Sequence, residues 1–426
     1  MNIFSAIPLL LPNLKKYAYI YTNNDKTMGA INNNRVSSID VVRGLAMVIM
    51  ALDHIRDYFH ITANTHDPLD LATTSPGLFM TRWITHFCAP AFVLLSGTSI
   101  FLQGQRKSTT ELASFLVKRG LWLVFAEIFI VSLAWTFNPA YEIIPFQVIW
   151  AIGMSMIIMG ILVFFKVPTQ WMVMMGLVIV MGHNAFDFVE DDPGFQATLW
   201  WDFLHYGFFT AHEILPGHNA MLVYAFPVWT GVMLLGYGLG QWFVADYSAE
   251  KRRKNLLNMG LGLLVFFVLL RFTNWYGDPI DWSVQATPLL TFLSFINVDK
   301  YPASLLYLSI MLGFALIFLA VLERVKNRLT AMLTVFGRTA FFYYILHLYL
   351  IHALATGLFF MRGHTMDEVY NPENHFPFLY VVPGEGLSLS GVYMVWIGVI
   401  VFLYPLCYFY DRYKTSHKEQ WWLSYL

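Results

Sequence analysis

The feature that most constrains this chain is a series of ten apolar stretches, each about 17–30 residues long. A helix rises about 1.5 Å per residue, so each stretch can cross a hydrocarbon layer of about 30 Å. Hydrophobic residues fill 57% of the 426 positions and charged residues only 12%, about half the charged share of a soluble domain. The stretches fall at 38–60, 79–103, 113–137, 145–165, 168–186, 219–244, 255–275, 301–322, 331–360 and 388–410.

These stretches predict an all-α fold, a polytopic integral membrane helical bundle of about ten transmembrane helices. With a cytoplasmic N-terminus, 21 of the 26 Lys and Arg residues lie on the inner side, as the positive-inside rule requires. We therefore expect an N-in/C-in topology in a bacterial plasma membrane, with the lipid bilayer as the surrounding partner. The chain divides into a disordered polar cytoplasmic leader (1–35), a transmembrane domain (36–412) and a cytoplasmic tail (413–426).

The sequence does not support several classes of function. The net charge of −1 gives no case for a nucleic-acid partner, and there is no Walker loop or dinucleotide fingerprint. His212-Glu213 lacks the second histidine of a His-Glu-x-x-His motif, so we expect neither a metal site nor a permanently bound cofactor. Cys88 and Cys407 lie in apolar segments, which argues against a disulfide framework. Self-association into a homo-oligomer is compatible with the sequence.

The first stretch carries a polar face. Arg43 and His54 are eleven residues apart, close to three helical turns, so both lie on one side of the helix about 16 Å apart. Asp40 precedes Arg43 by one turn and Asp57 follows His54 by one turn. Ionisable residues inside a membrane span are functional candidates. The alternative for Arg43 alone is a snorkelling arginine that sets the orientation of the helix.

Two other stretches hold buried polar candidates. Arg82 and His86 repeat with Pro90 at i, i+4 and i+8, and Pro90 is expected to bend the helix and free carbonyl groups near His86. In the ninth stretch His347 follows Tyr343 by one turn, so we expect a hydrogen-bonded Tyr/His pair there. For each histidine a satisfied structural role is the alternative to catalysis.

Four segments together resemble the transmembrane acyltransferases, most of all the heparan-alpha-glucosaminide N-acetyltransferase-like membrane proteins and their bacterial relatives. The resemblance covers roughly residues 35–412. The segments are RVSSIDVVRGLAMVIMALDH (35–54), APAFVLLSGTSIFL (89–102), VWTGVMLLGYGLG (228–240) and FGRTAFFYYILHLYLIH (336–352). The resemblance implies that acetyl-CoA, the acyl donor, enters from the cytoplasm and that the acetyl group passes to a saccharide or other envelope acceptor on the far side.

The resemblance also implies a histidine that acts as general base or as transient acetyl carrier. His54 matches the acyltransferase motif Arg-x10-His, with Asp57 or Asp53 holding its tautomer. The heparan branch has an asparagine at this point and its histidine about eleven residues later. Here His66 lies near that later position and His60 lies between, so the identity of the base stays open.

The same resemblance implies roles for the remaining polar residues. Arg82 or His86 would stabilise the tetrahedral oxyanion, while Arg43 and Arg338 would contact the phosphates of coenzyme A. The rival interpretation is a small-solute transporter or channel that uses the intramembrane His/Arg/Asp face as an ion relay.

Overall fold

The computed structural model describes residues 36–205, 209–370 and 378–425. The predicted leader at 1–35 lies outside the described residues. Most of the described chain is helical. The α-helices are α1 Ser37–Phe59, α2 Pro76–Thr85, α3 Cys88–Gly104, α4 Thr109–Phe125, α5 Ser132–Thr136, α6 Val148–Phe164, α7 Thr169–Gly182, α8 Asp187–Glu190, α9 Leu199–Leu204, α10 Phe226–Leu239, α11 Ala249–Arg271, α12 Pro288–Ile296, α13 Leu305–Leu322, α14 Arg328–Arg338, α15 Ala340–Met361, α16 Met366–Val369 and α17 Leu389–Ser416.

Among the described residues, six helical segments are long and apolar enough to cross a membrane: Pro76–Gly104, Thr169–Glu190, Ala249–Arg271, Leu305–Leu322, Ala340–Met361 and Leu389–Ser416. Their length and composition support an integral membrane protein. Each of the ten apolar stretches contains at least one helix. The count of ten spans and the N-in/C-in topology stay predictions.

Two of the apolar stretches are broken rather than continuous. The stretch at 79–103 divides into α2 and α3 around His86. Pro90 has no N–H to donate to the carbonyl of His86 four residues earlier, and the Tyr307 hydroxyl donates to that carbonyl instead, at 2.9 Å. The stretch at 331–360 divides at Thr339 into α14 and α15.

Helix α1 lies at the centre of the bundle. It packs against α2, α3, α13, α14, α15 and α17, and Asp40, Asp53, His54 and Arg56 are all buried. Because α1 carries several charged residues, it is not among the six helical segments that are apolar enough to cross a membrane. Because other helices enclose it, these charged groups face protein rather than lipid, which is where intramembrane ionisable residues are found.

The helices at the periphery of the bundle expose apolar side chains instead of charged ones. Helices α7, α11 and α17 expose large apolar side chains, among them Trp171, Val178, Val265, Leu269, Val401 and Phe402. A continuous apolar surface of this kind suits contact with lipid. The structure therefore separates a polar centre from an apolar rim.

A three-stranded sheet corrects the all-α expectation. Its strands are β1 (Ile143–Phe146), β2 (Thr210–Leu215) and β3 (His218–Leu222), in the order β1-β3-β2. β3 pairs parallel with β1 and antiparallel with β2. Strand β3 occupies the start of the apolar stretch at 219–244, where a short apolar run does not distinguish strand from helix.

Glycines let α1 and α14 cross in close contact. A Cβ placed on Gly44 would lie 1.8 Å from the carbonyl oxygen of Leu333, and one on Gly337 would lie 1.9 Å from that of Asp40. No side chain fits at either position. Small residues of this kind allow membrane helices to approach backbone to backbone, so the crossing fixes α14 against the central helix.

We predict that Gly44→Ala destabilises the protein by about 1–3 kcal/mol or more, because the added methyl group forces two backbones apart. Thermal unfolding of the purified protein in detergent measures the change. Gly357→Ala is the matched control: no atom lies within 4 Å of its Cβ position, and alanine favours a helix by about 1 kcal/mol. Equal melting temperatures for the two variants would contradict the close crossing.

Candidate active site

The structure joins His54 of α1 to His347 of α15. His54 Nδ1 lies 2.8 Å from His347 Nε2, and the ring planes are only 14° apart with centroids separated by 5.0 Å. Two nearly coplanar rings at this spacing are joined edge to edge by one hydrogen bond. Both residues are buried, with His347 fully enclosed. The sequence proposed both residues separately as candidates, and the fold brings them into contact.

The hydrogen bonds determine which nitrogen of His54 carries a proton. His347 Nδ1 lies 2.9 Å from the carbonyl oxygen of Tyr343. A carbonyl only accepts, so the neutral His347 ring is protonated on Nδ1 and accepts on Nε2. His54 Nδ1 must then donate to His347. This leaves His54 Nε2 unprotonated, with a lone pair that can accept a proton.

Aromatic side chains enclose the histidine pair. The Trp135 ring meets His54 edge-on at 4.8 Å, and Tyr344 lies at 6.4 Å. The Tyr343 ring stacks on His347 at 5.0 Å. The expected Tyr/His hydrogen bond is therefore made by the backbone of Tyr343, not by its hydroxyl, which has no partner among the described residues.

Asp53, Asp57 and Arg82 form a separate network instead of contacting His54. Arg82 Nη1 donates to both carboxylate oxygens of Asp53, at 2.6 and 2.8 Å, and Thr85 Oγ1 donates to the same carboxylate at 2.8 Å. Arg56 pairs with both Asp53 and Asp57. The structure contradicts the expectation that Asp53 or Asp57 holds the His54 tautomer. Both carboxylates pair with arginines, and His347 contacts His54 Nδ1 instead.

The two remaining histidine candidates lie in different settings. His66 is on the exposed loop after α1, with its Nδ1 beside the Thr65 hydroxyl. His86 is buried and meets Tyr307 edge-on. Neither ring nitrogen of His86 has a hydrogen-bond partner among the described residues, so this ring retains the capacity to bind another group.

Basic residues gather at the opposite end of α1. Arg43 donates to the Ser99 hydroxyl at 2.8 Å and pairs with Asp40. Lys414 lies within electrostatic range of Arg43, Arg119 and Arg338. We call Arg43, Arg119, Arg338 and Lys414 the basic cluster. Asp411, which pairs with Arg338 at 3.1 Å, offsets part of its charge.

The sequence predicted only half of the basic cluster. Arg43 and Arg338 came from motifs, whereas Arg119 on α4 and Lys414 on α17 lie in segments that carried no motif. The sequence signal that points to them is the excess of basic residues at one end of several spans. From that excess we predicted only the orientation of the chain.

The fold and the site define a helical integral membrane protein that holds an oriented imidazole inside its bundle. Residues 35–270, more than half of the chain, match the family model described as "Heparan-alpha-glucosaminide N-acetyltransferase, catalytic". The chain therefore belongs to this family, as the resemblance predicted, and the match supports a membrane N-acetyltransferase type of function. The comparison with curated proteins found no match. His347 lies beyond the matched range, so its place in the site comes from the structure.

We predict that Asp53→Ala lowers stability by about 3–5 kcal/mol, because it leaves the charge of Arg82 buried without its carboxylate and leaves Arg56 paired with Asp57 instead of with two carboxylates. Thermal unfolding in detergent measures the loss. Thr85→Val, which removes one hydrogen bond to the charged carboxylate of Asp53, should cost less, about 1.5–3 kcal/mol. Similar losses in the two variants would show that Asp53 is not the centre of this network.

Proposed function

We propose that this protein transfers an acetyl group from cytoplasmic acetyl-CoA to an amine or hydroxyl of a saccharide-like acceptor on the outer side of a bacterial plasma membrane. The observation that carries the proposal is the His54–His347 hydrogen bond, which leaves a buried, oriented imidazole with one unprotonated nitrogen. Family membership supports the acetyl-transfer chemistry. The transporter alternative is not favoured, since the matched domain is a catalytic one.

The basic cluster supplies a place for the donor. Coenzyme A carries several phosphates, and arginine and lysine side chains bind phosphate through charge-assisted hydrogen bonds. Arg43 and His54 are about 16 Å apart on α1. A donor whose phosphates contact the cluster would therefore extend its pantetheine arm along α1 to bring the thioester to His54.

The chemistry balances with His54 as general base. His54 Nε2 takes the proton of the acceptor amine or hydroxyl while the acceptor atom attacks the thioester carbonyl carbon. The tetrahedral intermediate collapses, the carbon–sulfur bond breaks, and the imidazolium returns the proton to the thiolate. The products are the acetylated acceptor and coenzyme A, and His54 is again neutral.

Two groups assist the base in this proposal. His347 is a positioning residue, because it fixes the His54 ring without touching substrate. His86, whose ring nitrogens have no partner among the described residues, is the better candidate for stabilising the oxyanion. Arg82 is already held by both oxygens of Asp53. Donors aimed at the developing negative charge lower the barrier to acyl transfer.

We predict that His54→Ala reduces acetyl transfer by about 10²–10⁴-fold, the usual contribution of a general base, while His66→Ala retains activity. The assay follows labelled acetyl-CoA into the membrane acceptor. The reverse result, an inactive His66→Ala and an active His54→Ala, would assign the base to the outer loop.

A double variant distinguishes a positioning role of His347 from a purely structural one. His347→Ala should lower turnover and shift its pH profile, because the His54 tautomer is no longer fixed. Groups that act as one unit are strongly non-additive. His54→Ala/His347→Ala should therefore be no slower than His54→Ala alone, and additive losses would contradict the shared role.

We predict that Lys414→Gln raises the KM for acetyl-CoA about tenfold with little change in kcat, since a hydrogen bond to a charged group contributes about 1.5–3 kcal/mol to binding. Lys418→Gln is the matched control, an exposed lysine one turn further along the tail. An unchanged KM in Lys414→Gln, or an equal rise in both variants, would exclude Lys414 from the donor site.

A further inference from the structure

A second cluster of ionisable side chains lies where α7 ends, and it shares no residue with the site around His54. His183 begins the short 3-10 turn after α7, Asp187 and Glu190 follow on α8, and His205 directly follows α9. Asp187, Glu190 and His205 each offer a ligand atom within 4.8 Å of the others. His183 and His205 are almost fully buried, at 6% and 2% exposure.

The contacts of His205 establish which of its nitrogens is available. His205 Nδ1 lies 2.9 Å from Glu190 Oε1, and the Trp201 indole N–H donates to the same oxygen at 2.7 Å. A carboxylate accepts, so Nδ1 carries the proton. The neutral ring then presents the lone pair of Nε2. A carboxylate that fixes a histidine in this way is the usual outer partner of a metal-binding imidazole.

Two potential ligand atoms lie beside His205 Nε2. His205 Nε2 lies 3.4 Å from His183 Nδ1 and 3.5 Å from Asp187 Oδ1. Zinc bonds to nitrogen and oxygen are about 2.0–2.2 Å long and tetrahedral, which puts neighbouring ligand atoms about 3.3–3.6 Å apart. Each of these two separations from His205 Nε2 therefore matches that of two ligands on one ion.

An unsatisfied buried carboxylate oxygen gives an independent argument for a ligand. Asp187 Oδ1 is buried without a hydrogen-bond partner among the described residues, while Asn184 Nδ2 holds the other oxygen at 2.7 Å. Within the same part of the chain, the His183 ring has only the long contact of its Nδ1 to His205, so the carboxylate oxygen of Asp187 is the atom that indicates a ligand. Buried polar atoms without partners are costly, and a cation between these side chains would satisfy the carboxylate and fix both rings.

The geometry points to a Zn²⁺ site formed by His183 Nδ1, Asp187 Oδ1 and His205 Nε2, with water in the fourth position and Glu190 orienting His205. The sequence predicted no metal site, because the ligands lie on two segments and match no motif. Asn184 also accepts a hydrogen bond from the backbone of Leu305. The ion therefore ties the segment after α7 to α9, beside the start of α13.

The test uses the full chain without an affinity tag, purified in detergent and stripped with a chelator. Titration with ZnCl₂ should show one tight site per chain, and Co²⁺ in its place should give the intense visible absorption of a four-coordinate ion. Asp187→Asn and His205→Ala should weaken zinc binding at least 100-fold. Glu190→Gln, which keeps the side-chain volume, should weaken it about 10–100-fold.

His364→Ala is the matched control. Its two ring nitrogens contact Glu368 and Glu385, at 2.7 and 3.0 Å, and these carboxylates raise the pKa of His364, which disfavours the neutral ring that binds a metal. Zinc binding should be unchanged in this variant. A wild-type chain with no site tighter than about 10 µM, or equal affinity in Glu190→Gln and the wild type, would overturn the proposal. Either result would mean that His205 only bridges the carboxylates of Asp187 and Glu190 and binds no metal.

Discussion

The enclosure of α1 by other helices is the constraint on which the rest of the structure depends. A helix with this many ionisable groups cannot face lipid, because an uncompensated charge in the hydrocarbon layer costs several kcal/mol. Six neighbouring helices surround it, and glycines bring α14 into backbone contact with it. The polar side chains of α1 therefore meet protein partners, and the two ends of one helix acquire different chemistry.

The His54 end of α1 illustrates how a buried imidazole is oriented without a carboxylate. In hydrolytic triads an aspartate fixes the histidine and stabilises its charged form. Here a neutral His347 fixes the ring, and the nearby aspartates pair with arginines instead. A neutral partner gives less stabilisation to an imidazolium. Transfer from a thioester, which is already activated, places a smaller demand on the base.

Spacing within one helix is readable from sequence, whereas contacts between helices are not. The positions of Arg43 and His54 on one face followed from helical periodicity. The partner of His54 is 293 residues away, and it depends on how α1 and α15 pack, which no local pattern records. The contact between His183 and His205 also depends on packing, and the spacing rules for metal motifs do not detect it. The small sheet was missed because β3 runs into the apolar stretch that continues as α10, and a short run does not distinguish strand from helix.

We propose that acetyl-CoA extends along α1 from the basic cluster to His54. A cryo-electron microscopy structure of the full chain with an unreactive thioether analogue of acetyl-CoA tests it most directly. We expect phosphate density beside the basic cluster and the acyl carbonyl carbon next to His54 Nε2. An acyl group bound away from His54, or phosphates at the other end of α1, would contradict it.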